Sequence, residues 1–163
     1  MNFKYIPIVI ITFIIGLFAC EEKDDSASFV GTWTSTRVED GKTLKDNLTL
    51  TEGSFDELIK FKLLPTIFID VLGAKGSLAY TGSTLILTIE TVGIAEVDDI
   101  GNFGQMNWYT IESEEFSTAV DQFGGKTVNC EYEVNGDKMT LKKDIDEDKK
   151  YSEDEINEYT RVK

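Results

Sequence analysis

From Gly31 onward the chain alternates apolar and polar residues over short stretches, separated by turns bearing Gly, Asp and Asn. A period of two sends successive side chains to opposite faces, so each stretch reads as a strand with one face in a core. Gly31 to Val38, rich in Thr, Val and Trp, is predicted as the first strand, with Glu39-Asp40-Gly41-Lys42 as its turn. Leu48-Thr49-Leu50-Thr51 carries the second. Between Phe55 and Leu72 the pattern blurs. Ser54-Phe55-Asp56-Glu57 has the form of a helix capping box, whereas Leu58 to Leu64 and Thr66 to Val71, on either side of Pro65, read as strands. Strand is the preferred reading.

Two hairpins can be read in register. Gly82-Ser83 suits a two-residue II′ turn, which sets Tyr80 opposite Leu85 and Leu78 opposite Leu87 on one face. Val128, Cys130, Tyr132 and Val134 alternate strictly with polar residues, and Asn135-Gly136 suits a I′ turn. That turn predicts Tyr132 opposite Met139, Cys130 opposite Leu141 and, on the outer face, Glu133 opposite Lys138. Between the hairpins Asn107 to Ile111 is a strand. Ser113 then caps a short helix with Phe116, Ala119, Val120 and Phe123 on one side and Gly124-Gly125 at its end. Ile156 to Val162 closes the chain. Short strands with Gly-bearing turns predict an all-β domain over residues 29–163: a single antiparallel β-barrel of about eight strands with one short helix.

The two ends of this domain carry a resemblance. Phe29-Val30-Gly31-Thr32-Trp33 at the entry and Arg161 in the closing strand resemble the calycin superfamily, the lipocalins and fatty-acid-binding proteins. The resemblance implies a lipocalin-like barrel with Gly31, Trp33 and Arg161 as its structural signature, the Trp plugging one end and the Arg lying across it. It departs in two places. The helix stands before the penultimate hairpin, and Arg161 lacks the following Tyr of the fatty-acid-binding pattern, so Arg161 is assigned to structure and not to a ligand head group.

Residues 1–19 read as a signal peptide: Lys4 ahead of an apolar run from Ile6 to Phe18, too short to span a bilayer. Leu17-Phe18-Ala19-Cys20 resembles a bacterial lipobox, which implies cleavage before Cys20 and acyl chains on that residue; an ordinary secretory signal is the alternative. Residues 20–28 form a lipidated Cys and acidic tether. Lys23-Asp24-Asp25 resembles the surface-export signals of some Gram-negative lipoproteins, and a plain spacer explains it equally. The expected location is the cell envelope, lipid-anchored to the outer membrane and displayed at the cell surface if the tether is an export signal.

The net charge of −14 falls by one more when Lys4 leaves with the signal. Such a surface excludes nucleic acid as a partner and favours cations or basic proteins. The chain has no His, which removes His-based nucleophile systems and His-ligated zinc. Once Cys20 is acylated, Cys130 has no partner and reads as a small core residue. No enzyme is expected. One acidic stretch has ligand spacing: Asp144, Asp146, Asp148 and Glu155 occupy positions 1, 3, 5 and 12 of an EF-hand-like calcium window. Lys149 stands where that loop needs Gly, so a solvated acidic loop is the alternative, and no other cofactor is expected.

Two functions stay open. The first is a binding module whose barrel holds a small apolar or amphipathic ligand, lined by Phe61, Phe68, Tyr80, Trp108, Tyr109 and Tyr132. The second is a filled barrel whose acidic exterior engages a basic protein. A cavity above about 300 Å³ would favour the first.

Overall fold

A computed structural model describes residues 28–39, 41–99, 102–143, 151–152 and 155–163. The signal peptide, Cys20 and the tether up to residue 27 lie outside them. The strands are β1 (Gly31–Glu39), β2 (Lys42–Leu50), β3 (Ser54–Leu64), β4 (Ile67–Thr81), β5 (Thr84–Val97), β6 (Phe103–Thr110), β7 (Thr127–Asn135), β8 (Lys138–Lys143) and β9 (Ile156–Arg161). Helix α1 (Glu114–Val120) runs on into a 3-10 turn, Asp121–Phe123. Sheet order is β4-β3-β2-β1-β9-β8-β7-β5-β6, and β4 also pairs with β5. That pairing closes β1–β5 and β7–β9 into an eight-stranded antiparallel barrel, with β6 as one extra strand. Strand β5 serves both: Thr84–Thr88 pairs with β7 and Thr91–Val97 with β6.

The period-two pattern explains the core. Leu48 and Leu50 of β2, Leu85, Leu87 and Ile89 of β5, and Met139 and Leu141 of β8 all turn inward and are buried. The stretch after Phe55 is strand on both sides of a turn at Pro65-Thr66, and Ser54 opens β3 instead of capping a helix. Its polar residues pair across strands, as in Lys60–Asp70 and Lys75–Asp56. Ser113 does cap α1, its side chain accepting from the Phe116 amide, and Phe116, Ala119, Val120 and Phe123 face the core.

The Gly82-Ser83 hairpin has the expected register, Tyr80 opposite Leu85 and Leu78 opposite Leu87. The next hairpin does not. Its turn is Gly136-Asp137, so Asn135 pairs with Lys138, Tyr132 with Leu141 and Cys130 with Lys143. Moving the turn by one residue shifts every pair by two and leaves each side chain on its face, so the apolar pattern could not detect the error. The outer charge pair becomes Glu131–Lys142, while Asp137 meets Lys163.

Strands β1 and β9 join through just two pairs, Trp33 with Arg161 and Thr34 with Thr160. Trp33 is fully buried and its Nε1 donates to the Phe29 carbonyl at 2.7 Å. The Arg161 Cζ stands 4.2 Å from the indole centroid, and its Nη1 and Nη2 donate to the Val30 and Ser28 carbonyls at 2.7 and 2.6 Å. These carbonyls precede β1, and the guanidinium donates to both while covering the ring. Gly31 makes room: with φ of 146°, a Cβ there would sit 2.6 Å from Arg161 Nη1.

Candidate functional site

The inward phase of three strands is interrupted by charge. Asp46 stands between Leu44 and Leu48, Glu57 between Phe55 and Ile59, and Lys143 after Met139 and Leu141, all at positions where apolar residues are expected. Asp46 and Glu57 are each only 2% exposed, and Lys143 is buried with them. Lys143 Nζ donates to Glu57 Oε1 at 2.6 Å. Tyr159, also buried, donates its hydroxyl to Asp46 Oδ2 at 2.6 Å. Arg37 approaches that oxygen at 4.0 Å and pairs with Glu39. Asp46 Oδ1 has no hydrogen-bond partner among the described residues.

Burial, then the nearby Glu57 carboxylate, pushes Asp46 up from 3.8 to about 7, against the pull of Lys143. Burial draws the Lys143 ammonium down, but Glu57 and Asp46 outweigh it and hold Lys143 above its usual value. Burial, then Asp46, raises the Tyr159 phenol, which therefore stays a donor. Burial pushes the Cys130 thiol up to about 12, leaving it inert as a nucleophile.

The cluster borders a cavity of about 80 Å³ lined by Arg37, Glu39, Asp46, Glu57, Ile59, Gln122, Phe123, Lys143 and Asn157. Beside it, where β1 and β9 diverge below their two pairs, a cleft of about 670 Å³ runs along the barrel wall. Arg37, Glu39 and Asn157 line both, so cavity and cleft adjoin.

The six aromatics expected to line a ligand chamber do not gather in one place. Tyr80 and Tyr132 meet Phe29 edge-on, at 5.1 and 5.4 Å between centroids, and the Tyr132 hydroxyl donates to the Gly82 carbonyl. Phe61 lies near Phe103, Phe68 lies under Lys45, and Tyr109 packs half-buried on the core. Trp108 corrects the expectation outright. It is 41% exposed on the outer face, laid over Gly73 and Gly93, with Lys75 4.4 Å from its centroid. A Cβ at Gly73 would come within 2.8 Å of its ring, so the two glycines explain why Trp108 can lie flat on the strands.

Of the calcium window, Asp144, Asp146 and Asp148 lie outside the described residues. Glu155 is buried, and its Oε2 accepts from the Ser152 amide and hydroxyl at 2.8 and 2.6 Å. Among the described residues no group of three acidic or Cys side chains can hold a metal.

The Asp46–Glu57–Lys143–Tyr159 cluster was not anticipated from the sequence, although its signal is there: a charged residue in the buried phase of a strand. Compared with protein-family models, curated proteins and solved structures, the chain matches none. The barrel agrees with the architecture that the calycin resemblance implied, while the family stays unidentified.

Proposed function

We propose that this protein is a lipid-anchored binding module of the cell envelope that takes a small amphipathic ligand through the β1–β9 cleft, polar head first, to the buried Asp46 cluster. The observation that carries this reading is Asp46 Oδ1, buried without a partner against a cavity that adjoins an open cleft. An unsatisfied buried oxygen costs about 1–3 kcal/mol, and a ligand or water that meets it recovers that cost. Anchoring rests on Cys20 and the lipobox-like residues before it, outer-membrane and surface placement on the acidic tether. The site is read as binding without turnover.

Native mass spectrometry of the full chain, released gently from membranes, is the test. A co-purified small molecule is expected, and Asn157→Phe, which fills the shared wall of cleft and cavity, should lose it. A bare protein, or a bound mass that Asn157→Phe leaves unchanged, removes the reading. The packing of Leu85, Ile89, Met139 and Leu141 supports a second reading: a filled barrel whose acidic exterior engages a basic protein. In that case a partner would dissociate with rising salt and ignore Asn157→Phe.

A further inference from the structure

We infer that the ligand's polar head is a monovalent organic cation, a primary ammonium group, seated against Asp46 Oδ1 in the smaller cavity. The inference rests on the binding reading above and adds the chemistry of the head group. The charged groups facing the site come from every strand around it: Arg37 and Glu39 on β1, Asp46 on β2, Glu57 on β3, Lys143 on β8. The weakly acidic Tyr159 on β9 and Cys130 on β7 stay neutral beside them. Among the described residues, with the carboxylates ionised, three negative charges face two positive ones. Lys143 is committed to Glu57, and Arg37 pairs with Glu39 and reaches Asp46 only at Oδ2, at 4.0 Å, so the balance calls for one further positive charge at Asp46 Oδ1.

An ammonium suits that position better than the alternatives. Its three N–H donors suit Asp46 Oδ1 together with the amide oxygens that Gln122 and Asn157, lining the same cavity, can present. A divalent metal would overshoot the charge. The volume of about 80 Å³ holds an ammonium head or two to three waters, and the adjoining cleft, largely polar and bordered by Lys138 and Glu158, offers the apolar atoms of Met139 and Ile156 to a short alkyl body. A proton and the cation then compete for one carboxylate, so seating the cation expels the proton.

The experiment is calorimetric titration of the full chain with n-butylammonium, butyrate and 1-butanol at pH 6 and pH 8. Butylammonium alone should bind, about tenfold more tightly at pH 8, since the ionised fraction of a group titrating near 7 rises about tenfold over that interval. Proton release, read from the heat in buffers of different ionisation enthalpy, should accompany binding. Asp46→Asn should abolish it; if that variant fails to fold, the pH slope and proton release of the unaltered chain decide alone. Butyrate or butanol binding in the cleft without butylammonium overturns the cation and leaves the binding module standing. Butylammonium binding that is independent of pH, or retained in Asp46→Asn, overturns the seat at Asp46. No binding of any of the three overturns the inference and leaves waters in the cavity.

Discussion

Asp46→Asn should abolish the pH dependence of stability that this one carboxyl imposes. The substitution keeps shape and leaves an amide oxygen to accept from Tyr159, but it cannot ionise. Asp46 holds its proton to about pH 7 in the fold and releases it near 3.8 when unfolded. Between those values the native state binds more protons than the unfolded one, so the Asp46 contribution is present at low pH and is lost as pH rises through 7. The gap, at about 1.4 kcal/mol per pH unit, amounts to about 4 kcal/mol when fully developed. Other carboxylates titrate too, Asp137 among them, held low by Lys163, but they are common to both proteins and cancel in the difference. Urea unfolding at intervals from pH 4.5 to 8.5 is the assay. Relative to the unaltered chain, Asp46→Asn should gain about 3 kcal/mol across that range, most of it between pH 5 and 7. Parallel stability curves would refute the reasoning, because they would mean that Asp46 ionises in the fold as freely as in water.

Trp33→Ala removes the largest fully buried side chain and should cost about 3–5 kcal/mol in urea unfolding. Arg161→Ala, which removes the donors to the Val30 and Ser28 carbonyls, should cost about 1–3 kcal/mol, and a loss below about 0.5 kcal/mol would deny the guanidinium its role. Cys20→Ser should move the protein from the membrane fraction to the soluble fraction or leave its signal uncleaved; unchanged membrane retention with no lipid label would remove the anchor. If the residue 144–155 loop binds calcium, the melting temperature should rise with calcium over chelator, and equal values would assign the loop to solvent.

Why the barrel was legible and its site was not comes down to what a period of two can report. Alternation records which face a side chain takes, and it found the inward sets of β5, β7 and β8 before any coordinates. It carries no information about displacement by whole pairs, which is why Gly82-Ser83 gave the right register and Asn135-Gly136 did not. There the decision lay with backbone geometry: Gly136 takes the first turn position at φ 61°, and Asn135 stays in the strand. The closing contact of Trp33 with Arg161 was visible because each residue type has few reasons to stand where it does. Asp46, Glu57 and Lys143 were overlooked for the opposite reason. In a chain with 30 acidic residues, an isolated Asp or Glu in a strand looks like ordinary surface. Only the phase of Asp46 against Leu48 and Leu50, and of Glu57 against Phe55, marks them as interior. A carboxylate in that phase must be neutralised by a proton, by a buried cation such as Lys143, or by something from outside. Lys143 answers for Glu57. What answers for Asp46 above pH 7 is the question on which the function of this barrel turns.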